Sequence, residues 1–169
     1  MKQSHDAAPE ISKYRHLSIY LLVMTILAVL FVTYIVRNQI APLSWRWWGS
    51  VNTTEGVAIS GYDTVAYHDL GEALKGDVKF SYFWNDAHWY FVSLQNQQRF
   101  SQSPVDYAPQ YGGYCASGVT YGVTAKADPN AWHIESGKLY LFGSEEVKQS
   151  WLKKIPQGVD KQADANWLR

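Results

Sequence analysis

Lys79-Phe80-Ser81-Tyr82-Phe83-Trp84-Asn85-Asp86-Ala87-His88-Trp89-Tyr90-Phe91-Val92-Ser93 is the stretch whose reading decides the fold. Asn85-Asp86 supplies two residues that tolerate positive φ, as a tight hairpin turn needs, between two aromatic runs. With that turn, the alternation of a strand puts Phe80, Tyr82, Trp84, Trp89 and Phe91 on one face. Phe83 falls opposite His88 on the other face, so the five-aromatic side is the core side and His88 points away from it. Ser93 is then placed to cap a helix running to about Gln102, with Leu94 and Phe100 on its buried side. Pro104 marks a restart.

A second hairpin is expected from Ala131 to Phe142 around Ser136-Gly137. It sets Trp132, Ile134, Leu139 and Leu141 on one face, with Glu135 opposite Lys138 and His133 opposite Tyr140 on the other. Gly143-Ser144-Glu145-Glu146 opens a helix, acids in its first turn and Lys153 and Lys154 in its last, as the macrodipole favours. Val147, Trp151 and Ile155 form its buried stripe. Pro156 and Gly158 stop it before a short terminal helix from Val159 to Trp167. Two hairpins packed with helices make an α+β domain.

Outward toward the N-terminus, Leu17 to Val36 is a charge-free run diluted only by Ser18, Tyr20, Thr25, Thr33 and Tyr34. A helix of that length spans roughly 30 Å, the thickness of a bilayer's hydrocarbon core. It exceeds the apolar region of a secretory signal, and Arg37-Asn38-Gln39-Ile40 after it offers no small-x-small cleavage site, so a retained anchor is expected. Lys2, Lys13 and Arg15 precede the span, against Arg37 and Arg46 after it, which keeps the N-terminus in the cytoplasm. The organisation expected is a cytoplasmic tail at 1–16, a single transmembrane helix at 17–36, a linker at 37–54 and one domain at 55–169. That domain would lie outside the cytoplasm, periplasmic in a two-membrane bacterium, on an inner-membrane anchor. Trp45, Trp47 and Trp48 stand where indoles favour the membrane–water interface, or else they form a packing patch of the domain.

The 169-residue chain balances to zero net charge. Residues 51–169 carry ten Lys/Arg against thirteen Asp/Glu, a net of −3. No basic stripe exists to neutralise phosphates, which argues against nucleic acid as a partner. A single cysteine forbids an intrachain disulfide and a cysteine-built metal cage within one copy. The part after residue 50 must therefore be held by core burial, for which it has 19 aromatics.

Several patches of this domain carry a family resemblance. They are Tyr62-Asp63-Thr64-Val65-Ala66-Tyr67, Trp89-Tyr90-Phe91-Val92-Ser93, Arg99-Phe100 and Pro104 through Tyr107-Ala108-Pro109-Gln110-Tyr111-Gly112-Gly113-Tyr114-Cys115-Ala116. Asp128-Pro129, Ala131-Trp132, Gly137-Lys138-Leu139-Tyr140-Leu141 and Ala163-Asp164-Ala165-Asn166-Trp167 follow. Together, over about 55–167, they resemble the YHS domain family, in particular its secreted or membrane-tethered single-domain members. The resemblance implies a YHS-like fold and does not extend to the anchor. Members found beside copper-transporting ATPases and in some hydroxylases resemble metal-binding modules built on cysteines. Those cysteines align with Ala66, Val92 and Asn96, none a thiol or an imidazole, so that metal role does not carry over by residue.

The chemically capable residues are few. Cys115, among Gly112-Gly113-Tyr114 and Ala116-Ser117-Gly118, is either a small buried hydrophobe or an activated thiol near a helix start. A pairing with a thiol of another chain is the remaining alternative. His68 and His133 become ligands only if they converge with Cys115, and such a soft His/Cys site would suit copper or zinc. A Cys115–His133 dyad is conceivable but has no local signature. Tyr62, Asp63 and Tyr67 form a polar-aromatic cluster in which Asp63 caps a short helix, or lines a pocket with Tyr111, Tyr114 and Tyr121. No phosphate-binding loop, dinucleotide fingerprint, serine-hydrolase elbow, haem-attachment motif or zinc-protease helix occurs. The expectation is a binding module for a metal ion, a small ligand or an envelope protein partner, with a thiol-dependent redox protein using Cys115 as the alternative.

Overall fold

The computed structural model describes residues 8–45 and 49–168. Lys2, Arg46, Trp47 and Trp48, used above for orientation and the interface, lie outside the described residues. The chain divides into two units, one ending at Asn38 and the other running from Gln39 onward.

The first unit is one helix, α1 (Ala8–Arg37), whose part His16–Arg37 is long and apolar enough to cross a membrane, with mean hydropathy 2.7. Its apolar side chains from Leu17 to Val36 are exposed on every face, Ile35 alone being half-buried among the described residues. Its two threonine hydroxyls are satisfied within the helix: Thr25 donates to the Leu21 carbonyl at 2.8 Å and Thr33 to the Val29 carbonyl at 2.7 Å. Such back-bonding satisfies a polar group inside the helix itself, as an apolar medium demands.

In the second unit the aromatic hairpin forms as its sequence dictates. β4 (Asp77–Trp84) and β5 (Ala87–Phe91) pair antiparallel, with Tyr82 opposite Trp89, Phe83 opposite His88 and Trp84 opposite Ala87. Asn85 and Asp86 take φ of 50° and 60°, the doubly left-handed turn that matches strand twist. His88 is exposed, as the register requires. Farther from the turn the pairing is irregular, with Asp77 opposite Phe91 and Ser81 opposite Tyr90, so Phe80 is only half-buried.

Ser93 caps α3 (Leu94–Gln102) through its hydroxyl, which accepts from Asn96 N at 3.1 Å. Phe100 from this helix is the hub of the aromatic face, with ring centroids 5.1 Å from Trp89 and from Phe91 and 5.8 Å from Trp84. Leu94, expected beside it, is 53 % exposed. Six residues at about 100° each leave the two side chains about 120° apart around the helix, too far for one buried stripe.

Part of the segment expected as a linker, 37–54, is packed structure. β1 (Ala41–Pro42) pairs with β6 (Val123–Thr124), and β2 (Thr53–Thr54) pairs with β3 (Val57–Ala58). β3 joins β5 in parallel, giving the sheet order β2-β3-β5-β4. Val51 and Asn52 are buried, and Asn52 Nδ2 donates to the Gly113 carbonyl at 3.0 Å. Two-residue strands have no periodicity to read, which hides them in the sequence.

The second hairpin, β7 (Asp128–Glu135) with β8 (Lys138–Phe142), has the expected pairs: Trp132 with Leu141, His133 with Tyr140, Ile134 with Leu139, Glu135 with Lys138. Its second face is not a polar surface, however. Tyr140 and Phe142 are buried there against Trp151, at 5.3 Å each, in a second core that also holds Tyr111, Tyr114, Val119 and Ala163. The first core holds Tyr67, Trp89, Phe91, Phe100, Leu139 and Leu141. The hairpin thus sits between two apolar clusters, and its far face is closed by three helices. These are α5 (Ala116–Thr120), α6 (Glu145–Leu152) and α7 (Val159–Trp167).

α6 is shorter than its charge pattern suggests. Lys153 is its C-cap and Lys154 lies beyond it, while Ile155 starts a separate 3-10 turn ended by Gly158 at φ 80°. Trp151 fixes α6 to α5 by donating its indole N–H to Thr120 Oγ1 at 3.0 Å. With α2 (Thr64–Asp69) and α4 (Pro104–Tyr107), the architecture is a mixed α+β domain of small sheets and helices.

Candidate functional site

Asp63 has no exposed surface, yet its carboxylate is fully engaged. Oδ1 accepts from the backbone N–H of Val65 at 2.8 Å and of Ala66 at 3.2 Å, capping α2. Oδ2 accepts from Val92 N at 2.9 Å and Asn96 Nδ2 at 2.7 Å, tying α2 to the end of β5 and to α3. Ala66, Val92 and Asn96 therefore all donate to this one carboxylate. Four hydrogen bonds occupy the acceptor sites of a carboxylate, leaving none for a ligand. Capping, the first of the two roles expected for Asp63, is what its surroundings provide.

The other candidates are dispersed. Cys115 is 5 % exposed and lies within the first core, its N–H bonded to the Ala125 carbonyl at 2.9 Å. Tyr67 is buried, donates to the Pro129 carbonyl at 2.8 Å and meets Trp132 edge-on at 5.1 Å; burial raises its phenol far above the ordinary range. Tyr62 stacks under the Lys75 ammonium, 5.4 Å from its ring centre. His68 stands edge-on to Tyr107 at 5.5 Å, and its buried Nε2 has no hydrogen-bond partner among the described residues. Burial lowers its pKa from 6.5, opposed by Asp69 and by a hydrogen bond with the Tyr107 backbone. His133 is half-exposed and pairs with Glu135 at 3.3 Å. Tyr114 is buried in the second core, which pushes its phenol up to about 12. Among the described residues no three His, Cys, Asp or Glu side chains are grouped to hold a metal ion. The convergence that a copper or zinc site requires is not formed there. Trp45, at the end of a 3-10 turn, is exposed.

A different region has the shape of a site. A cleft of about 430 Å³ is lined by Trp84, Trp89, Tyr111 and Trp167 together with Val105, Asp164 and Lys138. Such a volume is in the range of small-molecule sites, about 300–1,000 Å³. The rings are held in pairs, Trp84 with Trp89 at 5.8 Å and Tyr111 with Trp167 at 5.9 Å. Trp89 is fixed further by its indole N–H, which donates to the Trp84 carbonyl at 2.9 Å.

Backbone strain accompanies this wall. Tyr111, Gly112 and Gly113 all take positive φ, at 56°, 61° and 82°. For a bulky residue such as Tyr111 that conformation is unfavourable, and strain of this kind concentrates where a side chain must be aimed. The reason for glycine next to it is plain: a Cβ on Gly112 would lie 1.9 Å from the Ser50 carbonyl oxygen. The close approach lets Asn52 N donate to the Gly112 carbonyl at 2.8 Å, so the 50–52 segment docks and completes the cleft. Of the pocket residues expected from sequence, Tyr111 alone lines this cleft; Tyr62, Asp63, Tyr67, Tyr114 and Tyr121 do not. Trp84, Trp89 and Trp167 are cleft residues that no local sequence pattern brings together.

Comparison with protein-family models, with curated proteins and with solved structures yields no match to this chain.

Proposed function

We propose that this protein is a membrane-tethered, YHS-like domain that faces outside the cytoplasm and acts as a non-catalytic binding module through its aromatic cleft. The carrying observation is the cleft itself: Trp84 and Trp167 line it half-buried, backed by the nearly buried Trp89 and by Tyr111, which a left-handed backbone holds in place. Apolar surface with a few polar groups at the margin is how small-ligand sites are built. Among the described residues no nucleophile–base pair lines it, and the chemistry-bearing Cys115, His68 and His133 are outside its lining. The YHS resemblance over about 55–167 agrees with a small single-domain module, and the apolar helix supplies its tether. In this reading the anchor sits in the inner membrane, the domain is periplasmic, and the occupant is a small ligand or a side chain of an envelope protein. The thiol-dependent alternative gains nothing from the surroundings of Cys115, which is core.

Ligand-observed NMR with a fragment library, run on the full-length protein in detergent micelles, tests the cleft. Fragments should bind and be lost in Trp167→Leu; a library without any hit sensitive to that change contradicts the reading. A reporter fused after Arg169 should be active outside the cytoplasm, and cytosolic activity would contradict the topology.

A further inference from the structure

Under the Tyr111 wall, α7 presents two carboxylates one turn apart. Asp164 Oδ1 accepts the Tyr111 hydroxyl at 2.8 Å, and the Asp160 carbonyl is 3.5 Å from the same oxygen. Asp160 Oδ1 is buried and has no hydrogen-bond partner among the described residues. Neither carboxylate has a Lys, Arg or His in ion-pair contact among those residues, where the ion pairs involve other acids. Tyr140 is pushed up to about 12, first by burial and then by Asp164 and Asp160, and Tyr111 is raised by burial and by the same two acids.

We propose that the cleft takes an organic ammonium ion of the methylated, weakly hydrated kind, held against the part-exposed rings of Trp84 and Trp167 with Asp164 as its counter-charge. The inference rests on the cleft being the ligand site and adds the class of ligand. Aromatic faces are negative and attract such cations, most strongly where water is excluded. An inorganic cation is disfavoured, because Asp164 is the only carboxylate among the described residues of the lining and a hard ion needs about six oxygens to replace its water. Among the described residues of the lining, an anion would meet Asp164, with exposed Lys138 alone to favour it. A methylated ammonium presents apolar surface to the rings and a diffuse charge to the acid, which suits both features.

The test uses full-length protein in maltoside micelles, titrated by calorimetry and tryptophan fluorescence with choline chloride. The neutral isostere 3,3-dimethylbutan-1-ol and a monomeric short-chain phosphatidylcholine are run in parallel. Saturable choline binding is expected, with the isostere weaker by about ten-fold or more. Asp164→Asn, which keeps an acceptor for Tyr111, should weaken choline by a similar factor, and Trp167→Leu should abolish binding while the unfolding transition stays cooperative. Lys138→Ala should bind choline at least as tightly as wild type. Tighter binding of the phosphatidylcholine than of choline would identify a headgroup as the source of the cation; equal binding would identify a free ligand. Equal affinity for the isostere, or no effect of Asp164→Asn, overturns the cationic class but leaves the cleft a binding site. No saturable binding of choline overturns the inference, and a fragment library that also fails overturns the cleft reading with it.

Discussion

Replacing Asp63 by asparagine changes one atom, and the structure says what that atom does. The native carboxylate accepts two N–H groups on each oxygen, from Val65 and Ala66 on one and from Val92 and Asn96 on the other. An amide has one acceptor oxygen, so one orientation turns its NH2 on Val65 and Ala66, leaving two buried donors unmet. The other turns it on Val92 and Asn96; there the Asn96 amide can flip to accept, and Val92 N alone is orphaned. An unsatisfied buried donor costs about 1–3 kcal/mol, and the surviving bonds lose their charge assistance, so a loss of about 2–4 kcal/mol is expected. Against a typical domain stability of about 5–15 kcal/mol this is large. Urea unfolding of the full-length protein in micelles, followed by tryptophan fluorescence, measures it. Asp106→Asn, at an exposed position in α4, is the control and should leave the midpoint unchanged. A loss below about 1 kcal/mol for Asp63→Asn would refute the argument that this carboxylate ties α2, β5 and α3 together.

Other consequences can be checked in the same preparations. Gly112→Ala places a methyl 1.9 Å from the Ser50 carbonyl at a positive φ and should cost more than about 2 kcal/mol and loosen the cleft. Gly122→Ala, also at positive φ but with nothing within 4 Å, should lose only about 1 kcal/mol; equal losses would contradict the close approach. Because burial holds His68 below 6.5 in the folded state, the unfolded chain takes up the proton first as pH falls. The His68 contribution is therefore full above about pH 6.5 and declines below it, toward the lower folded value. Unfolding midpoints at about pH 7.5 and about pH 5.5 should converge in His68→Gln relative to wild type; an unaltered difference would contradict the assignment. Cys115 should resist alkylation in the native protein and react on denaturation, whereas rapid native labelling would reopen the thiol-dependent reading.

What the sequence disclosed follows from how local each signal is. The hairpin around Asn85-Asp86 was legible because five aromatics alternate across a turn whose residues accept positive φ. The Asp63 cap was legible because its donors are two and three residues away; its links to Val92 and Asn96 were not, since they cross 29 and 33 positions. Tyr140 misled because a tyrosine opposite a histidine fits a wet face as well as a second core. Leu94 is apolar without being core, since six helical positions turn it away from Phe100. The cleft was illegible for a topological reason. Trp84, Tyr111 and Trp167 arrive from a hairpin, a strained 3-10 turn and the terminal helix, and the docking of Ser50 and Val51 depends on a glycine whose necessity appears only in space.

Indole N–H resonances give the most direct test of where this protein binds. In two-dimensional ¹⁵N–¹H spectra of the full-length protein, choline chloride and the tightest fragment should each shift the indole signals of Trp84, Trp89 and Trp167, leaving Trp151 in place. Shifts confined to the surroundings of Cys115, His68 or His133, with the cleft indoles unmoved at saturation, would contradict the account.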